Sequence, residues 1–212
     1  MTPIQVFQFA NIKGFYFDEK RRLIREALLF VPRKFSKTTS VAALAIDDCI
    51  FGDANAQAYT ASNTYKQAQI CFNEIKGILK SLDNRLVHFK INREKITPKI
   101  KGKESFIECL ANKPDKLDGL NASLVILDEY SQAKTSELKD VLTSSMGVRL
   151  NPLTVIITTA SDKLDGPFVT DTLEPYKAIL RGEQENDRIF ASIFEPDVDD
   201  AEDDPKTWHK VQ

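Results

Sequence analysis

A candidate phosphate-binding loop is the first feature in the sequence that could do chemistry. Residues 31–38 read VPRKFSKT and lie between an apolar run and an alanine-rich helical pattern. In loops that bind phosphate groups, a Lys-Ser or Lys-Thr pair opens a helix whose backbone N–H groups and dipole favour an anion. Lys37 and Thr38 fit this description, although Val31 and Ser36 stand where glycine is usual. An ordinary turn that contains a lysine is the alternative interpretation.

Two adjacent carboxylates end a second apolar run. Residues 123–132 read SLVILDEYSQ, so Asp128 and Glu129 come directly after the apolar residues. In P-loop ATPases an aspartate at this point holds magnesium and the next glutamate polarises the attacking water. Side chains alternate across an extended backbone, so the two groups can take these two directions. A polar strand end that caps the next helix is the alternative, but the loop and the acidic pair together favour catalysis.

A third apolar run ends in hydroxyl groups. Residues 152–162 read PLTVIITTASD and present Thr158, Thr159 and Ser161 after the apolar part. In helicase-like ATPases, such a strand senses the γ-phosphate and couples hydrolysis to movement. Taken alone, the segment is also an ordinary strand end.

The elements that must position these groups alternate along the chain. Apolar and β-branched runs occur at 27–31, 57–61, 86–91, 105–110, 124–127 and 153–157. Helical periodicity is clearest at 38–50, 64–82, 134–146 and 169–181. Alternation of strands and helices predicts a mainly parallel sheet with helices on both faces. The runs LVIL and LTVII lack a polar-apolar alternation, which is typical of central strands buried on both sides.

Composition indicates a single soluble globular domain. The chain has 212 residues, of which 42% are hydrophobic and 28% charged, and no apolar run reaches the roughly 18 residues of a membrane span. The N-terminus does not read as a secretory signal. The scattered cysteines and histidines favour reduced core thiols in a cytoplasmic protein over a disulfide framework or a zinc site. These residues are Cys49, Cys71, Cys109, His88 and His209.

Charge is distributed unevenly. Residues 195–205 hold seven acids and no base, so a net charge of −2 becomes +5 for the rest of the chain. Residues 85–103 carry seven Lys and Arg residues and the single acid Glu94. This basic segment could face a polyanion, and a solvated hairpin is the alternative interpretation.

Taken in order, these segments resemble the N-terminal ATPase domain of the large terminase subunit of tailed bacteriophages. VPRKFSKT resembles the divergent phosphate loop of that family, LVILDEY its acidic strand and TVIITTAS its coupling motif. PIQVFQFANIKGF is similar to the family's opening, and AYTASNTYKQAQICFNEI to the segment after the phosphate-loop helix. The fold that this implies is an α/β RecA-like P-loop NTPase sandwich with a central, mostly parallel sheet.

The resemblance also assigns roles to residues. The adenine-reading glutamine is expected at Gln5, with Gln8 as the weaker candidate, and Arg149 is a candidate for a sensor or a trans-acting arginine. The other roles are catalysis by Glu129, Lys37 and Arg33, nucleotide binding by Arg33, Lys34, Ser36, Lys37, Thr38 and Thr39, magnesium binding by Thr38 and Asp128, and coupling by Thr158, Thr159 and Ser161.

The implied function is ATP hydrolysis, with Mg²⁺, that drives double-stranded DNA into a preformed capsid in the host cytoplasm. The implied partners are the portal protein, the small terminase subunit and further copies in a ring, whereas the chain alone is expected to be monomeric. Residues 1–194 are expected to form the ATPase domain, and residues 195–212 an acidic linker toward a nuclease domain. DNA cutting is not expected of these 212 residues.

One departure from the family pattern concerns Ser36, which stands where the family has glycine. A serine is expected to fit there only if its backbone avoids the torsions that glycine favours. Two other functions remain open at this point. One is a helicase-like or other P-loop ATPase, and the other is an interaction module that keeps the fold and has lost the nucleotide.

Overall fold

The computed structural model describes residues 2–110, 117, 119–160, 165–197, 199–201, 204, 206 and 207. Its eight strands form one sheet, and their bounds are β1 Glu26–Phe30, β2 Gln57–Ser62, β3 Phe89–Ile91, β4 Lys95–Pro98, β5 Phe106–Cys109, β6 Leu124–Asp128, β7 Leu153–Thr158 and β8 Ile189–Ile193. The helices are α1 Pro3–Gly14, α2 Lys37–Phe51, α3 Tyr65–Leu82, α4 Glu137–Ser144 and α5 Glu174–Leu180. This confirms the predicted alternation of strands and helices.

The strand order places the candidate site residues at one edge of the sheet. The order is β3-β4-β5-β2-β6-β7-β1-β8, and every neighbouring pair from β5 to β8 is parallel. Only the β3–β4 and β4–β5 pairs of this sheet are antiparallel. The carboxyl ends of β1, β2, β6 and β7 therefore meet at the same edge, where ligands bind in open α/β sheets.

The central strands of the sheet are buried on both faces, which explains their unbroken apolar runs. In β6, Leu124 and Ile126 pack into the core under α1, α2 and α3, whereas Val125 and Leu127 pack into the core under α4 and α5. The strand β1 divides in the same way. Burial of every strand residue on one side or the other is typical of a parallel sheet between two helical layers.

Several predicted bounds change in the structure. The run 86–91 forms a strand only over its last three residues, because Leu86 adopts a left-handed turn with φ of 50°. The periodic segment 134–146 is helical over Glu137–Ser144. In the segment 169–181, a π-helical turn over Val169–Leu173 precedes α5. Among the described residues, no helix has both the length and the apolar character that crossing a membrane requires.

The helix α1 was not among the predicted helices. Its N-cap is Thr2, and Pro3 occupies the first helical position. Gln5 donates its backbone N–H to the Thr2 hydroxyl, and the Gln5 side-chain oxygen accepts from the Thr2 backbone N–H. This reciprocal pair is a capping box, and its sequence signature, Thr-x-x-Gln, is present in the chain.

Two arginines tie together the loops at the amino-terminal edge of the sheet. The Arg149 guanidinium donates to the carbonyl of Asn55, before β2, and to the carbonyl of Asn121, before β6. Arg22 is 5% exposed and donates to the carbonyls of Ile24, Asn151 and Pro152. These bonds join four chain segments at the edge opposite the predicted site.

Candidate active site

The loop after β1 leads into α2 with a helix terminus that is open to an anion. Residues 31–36 connect the strand to Lys37, the first residue of the helix. The N-cap residue, Ser36, makes no side-chain capping bond, and the first turn contains no acid. The helices α1 and α3 are both capped by threonine hydroxyls. An uncapped N-terminus followed by a lysine suits a phosphate group, because its first N–H groups and its dipole favour negative charge.

Lys37 meets the acidic pair across the end of β7. Its ammonium group forms an ion pair with Glu129 Oε1 and lies 3.8 Å from Asp128 Oδ1. The Lys37 side chain is 13% exposed, that of Asp128 6% and that of Glu129 29%. The structure thus brings together the three residues that the sequence assigned to phosphate binding, metal binding and water activation.

Asp128 is held in an environment that disfavours its charge. Burial raises the pKa of the Asp128 carboxyl to about 6, and the Lys37 ammonium group opposes this increase. The Oδ1 atom is buried and accepts no hydrogen bond from the described part of the chain. A buried carboxylate oxygen without a hydrogen-bond donor is the kind of group that a divalent cation satisfies, so these residues fit a magnesium ion.

Replacement of Asp128 by asparagine should stabilise the protein in the absence of metal and nucleotide. The folded pKa, about 6, lies above the reference value of 3.8, so the carboxyl group favours folding below that reference and loses this contribution as pH rises through 6. Linkage gives a gain for Asp128→Asn of about 3 kcal/mol at pH 7.5 and roughly half of that at pH 5.

Denaturant unfolding in EDTA at the two pH values measures this difference. The exposed Asp165 provides a control, because its conversion to asparagine removes the same charge without changing a buried site. A variant at position 128 with the wild-type unfolding free energy at pH 7.5 would contradict the burial argument.

The hydroxyl groups at the end of β7 contact the acidic turn. Thr158 is buried, and its Oγ1 accepts from the Ser131 backbone N–H at 3.1 Å and donates to the Ser131 hydroxyl at 2.7 Å. Thr159 Oγ1 donates to Glu129 Oε2 at 3.5 Å. Two of the three predicted coupling residues therefore contact the acidic turn, and Ser161 lies outside the described residues, as does His209.

The two N-terminal glutamines have different neighbours. Gln5 is buried, and its Nε2 donates to the Ser36 carbonyl at 3.4 Å, so α1 contacts the phosphate loop. Gln8 donates to the Ser192 hydroxyl of β8 at 3.0 Å. Of the two candidates, only Gln5 contacts the loop within the described residues, and its amide oxygen serves the capping box of α1.

The remaining loop residues differ in their positions. Arg33 and Lys34 are exposed. Thr38 lies half-buried in the first turn of α2. The Thr39 hydroxyl donates to Glu74 of α3 at 3.0 Å, so it is directed to the neighbouring helix.

The expectation for the Ser36 backbone was wrong. Ser36 has φ of 56° and ψ of 30°, which is the left-handed region that glycine favours. A small part of that region is sterically allowed for residues with a Cβ atom, at a cost of roughly 1–2 kcal/mol. Lys34 and Glu129 also have positive φ, of 68° and 54°. Of the four non-glycine residues with positive φ in the described part of the chain, three therefore lie in the loop or at Glu129, and the fourth is Leu86. Such strain is common at functional sites.

Arg149 does not belong to this site. Its side chain is 5% exposed and, besides the two carbonyls described above, it donates to Asn55 Oδ1 at 2.8 Å and pairs with Asp53. It lies at the amino-terminal edge, whereas the acidic pair and the loop lie at the carboxyl-terminal edge. Its guanidinium is held by Asn55, Asn121 and Asp53, so it does not contact the acidic pair of its own chain, and a sensor or trans-acting role stays a prediction.

Two residues at the end of β2 were missed by the motifs. The Ser62 hydroxyl donates to the Asp128 carbonyl at 2.6 Å, and Asn63 Nδ2 donates to the Glu129 carbonyl at 3.4 Å. The sequence Ser-Asn after an apolar run is common at strand ends, so only the adjacency of β2 and β6 in the sheet reveals the contact.

Comparisons with known proteins agree with this fold. The crystal structure of the HK97 bacteriophage large terminase has a TM-score of 0.80 and 20% identity, over all of this chain and 43% of that chain. The large terminase of a thermophilic bacteriophage, in complex with ATP-γ-S, has a TM-score of 0.64 and 13% identity, over 89% of this chain and 44% of that chain.

A curated relative is Protein YmfN of Escherichia coli K12, which is 32% identical over 94 residues, or 44% of this chain and 20% of that protein. The chain spans less than half the length of each of these three proteins. The family model described as the terminase large subunit, ATPase domain, matches residues 3–177. The chain therefore belongs to the family of terminase large subunit ATPase domains.

Proposed function

We propose that this chain hydrolyses ATP in a magnesium-dependent reaction and that hydrolysis drives double-stranded DNA into a capsid. The observation that carries the proposal is the convergence of Lys37, Asp128 and Glu129 at the uncapped N-terminus of α2. Family membership supports it, as does the thermophilic phage's large terminase, which has been crystallised with ATP-γ-S. Phosphate release from ATP that requires Mg²⁺ and stops in EDTA is the direct test of the hydrolytic part.

In this proposal, Lys37, Glu129, Asp128 and Thr38 have separate roles. Lys37 leaves the Glu129 carboxylate and binds phosphate oxygens, which frees Glu129 to accept a proton from the attacking water. Asp128 and the Thr38 hydroxyl hold magnesium. The metal, when bound, supplies positive charge that stabilises the phosphate oxygens. When a phosphate replaces the Glu129 carboxylate as the partner of Lys37, Glu129 becomes free to act as the base. Nucleotide binding and activation of Glu129 are therefore linked.

Other residues place the nucleotide and transmit its state. Gln5 reads adenine from a position beside the phosphate loop, and the exposed Arg33 and Lys34 add phosphate contacts. Thr158 and Thr159 couple the reaction to movement through their bonds to Ser131 and Glu129. Assembly into a ring on a portal protein, with the small terminase subunit, in the host cytoplasm completes the proposed motor.

The basic hairpin of β3 and β4 is the proposed DNA contact. It lies at the edge of the sheet beyond β5. Residues 85–103, which include this hairpin, carry seven cations, and three of these are engaged within the chain. Lys95 pairs with Glu108, Lys99 donates to the Leu86 carbonyl and Lys103 donates to the Gly52 carbonyl. The remaining four, which are Arg85, Lys90, Arg93 and Lys101, are exposed.

Replacement of Lys90 and Arg93 by alanine should weaken DNA binding equally for all DNA sequences. Each lost phosphate contact lowers the salt dependence, so the slope of log affinity against log salt should fall by about 2 for the double variant. Fluorescence anisotropy with duplex DNA at several salt concentrations measures the slope. A control replaces the exposed Lys20 and Arg188, which lie outside the hairpin. An equal effect in both double variants would contradict a specific DNA surface on the hairpin.

A further inference from the structure

The end of β2 contacts the backbone of the acidic pair from one side. The parallel register aligns Ser62 with Asp128, and the β2–β6 ladder stops at this pair. Beyond this pair, side chains at the end of β2, rather than its backbone, donate the hydrogen bonds to the acidic pair. The Ser62 hydroxyl, which belongs to a residue that is 3% exposed, donates to the Asp128 carbonyl at 2.6 Å, and Asn63 Nδ2 reaches the Glu129 carbonyl at 3.4 Å. Two successive residues of the β2 end therefore hold the carbonyls of two successive residues of the site.

The backbone that they hold is strained. Glu129 has φ of 54° and ψ of 42°, and the chain turns there from β6 into a short 3-10 turn over Tyr130–Gln132. A non-glycine residue keeps this left-handed conformation only when its surroundings enforce it, because the conformation costs roughly 1–2 kcal/mol. The strained turn sets the position of the Glu129 backbone, from which the carboxylate extends. The residues that hold the turn therefore determine whether the Glu129 carboxylate reaches Lys37.

The turn is held from both neighbouring strands. On the β7 side, Thr158 bonds to the backbone N–H and the hydroxyl of Ser131. On the β2 side, the contacts come from Ser62 and Asn63. We propose that Ser62 and Asn63 are positioning residues for hydrolysis, which act by holding the Asp128–Glu129 backbone in its strained turn. This inference rests on the proposed role of Glu129 as the group that activates water.

The expected consequence is a loss of rate without a loss of nucleotide affinity. Misplacement of a reacting group by about 1 Å can lower a rate by about 10²-fold, and loss of residues that support a catalytic group typically costs 10–100-fold. Phosphate binding is assigned to the loop and to Lys37, whereas the Ser62 hydroxyl and Asn63 Nδ2 bond to the carbonyls of Asp128 and Glu129. The two substitutions should therefore separate kcat from binding.

The experiment compares Ser62→Ala and Asn63→Ala with the wild type in the 212-residue chain. We expect kcat to fall roughly 10–100-fold in each variant, while the Kd for ATP-γ-S, measured in EDTA so that a metal on Asp128 does not contribute, changes less than about twofold. Ser62→Thr, which keeps the hydroxyl, should recover most of the rate. Asn63→Leu keeps a side chain of similar size and removes the donor without adding a charge, so it should remain slow. It controls for the volume that the alanine variant loses.

The matched control is Thr60→Val in the same strand. Thr60 is 1% exposed, and its hydroxyl donates to the Ala68 carbonyl of α3 at 3.4 Å, so its loss leaves the acidic turn untouched. This variant should keep the wild-type kcat. The inference is overturned by an unchanged kcat in the Ser62 and Asn63 variants, by a parallel loss of ATP-γ-S affinity, or by an equally slow Thr60→Val.

Failure of this inference is distinguishable from failure of the proposed function. If Glu129→Gln hydrolyses ATP at the wild-type rate, the role of Glu129 itself is wrong, whatever the β2 variants do. If Glu129→Gln is slow while the Ser62 and Asn63 variants are normal, only the positioning role is wrong.

Discussion

Lys37→Ala should reduce ATP turnover by at least about a hundredfold. Lys37 supplies the positive charge at the start of α2, and removal of one preorganised electrostatic group typically costs roughly 10²–10³ in rate. The structure adds a cost in stability, because the substitution leaves the buried Asp128 beside Glu129 without their shared cation. Loss of one partner from such a cluster should lower the free energy of unfolding by about 2–3 kcal/mol.

A suitable control for this variant is Lys13→Ala. Lys13 of α1 also forms an ion pair, and its side chain is 20% exposed. Its partner, Asp47 at 2.6 Å, lies toward the end of α2 that is remote from Lys37. Steady-state phosphate release and thermal unfolding of both variants separate the loss of an ion pair from the loss of the site. Turnover close to wild type in folded Lys37→Ala would remove Lys37 from the reaction.

Substitutions at the two carboxylates should have different effects. Glu129→Gln keeps the shape and loses the base, so it should still bind magnesium and ATP but hydrolyse ATP roughly 10²–10⁴-fold more slowly. Asp128→Ala removes the proposed metal ligand, so it should weaken the magnesium-dependent part of nucleotide binding.

Isothermal titration with ATP-γ-S, with Mg²⁺ and with EDTA, measures the metal-dependent part of the binding free energy, and single-turnover hydrolysis measures the rate. Glu104→Gln, at a glutamate near the amino-terminal edge, serves as the neutral substitution. Equal loss of nucleotide binding in both site variants would show that the carboxylates are structural.

The fold could be predicted where local pattern and tertiary environment agree. The runs at β6 and β7 are apolar throughout because helices cover both faces, and such runs indicate central parallel strands without further information. The strand β8 was missed because Ile189–Ile193 is only partly buried at the edge of the sheet. The helix α1 was missed, although Thr2 and Gln5 form a capping box whose signature, Thr-x-x-Gln, is visible in the sequence.

The charged residues of the candidate site could be predicted from the sequence, but the residues that hold them in position could not. Lys37, Asp128 and Glu129 lie in short motifs whose chemistry is visible in the sequence, and parallel strand order then brings them together. The partners of Arg149 could not be predicted, because they are set by loops distant in the chain. Ser62 was missed for the same reason, since its acceptor is a backbone carbonyl that carries no sequence signature.

The hydrogen bonds of the two arginines at the amino-terminal edge hold the loops there in fixed relative positions. Arg149 and Arg22 bind backbone carbonyls, whose positions do not depend on nucleotide charge. At the opposite edge, Lys37 and Thr159 contact the Glu129 carboxylate, which a phosphate displaces from Lys37 in the proposed reaction. We therefore expect any displacement during turnover to be concentrated at the carboxyl-terminal edge of the sheet. The distance between one label near Arg149 and a second label in the loop 31–36 will report movement of that loop relative to the amino-terminal edge.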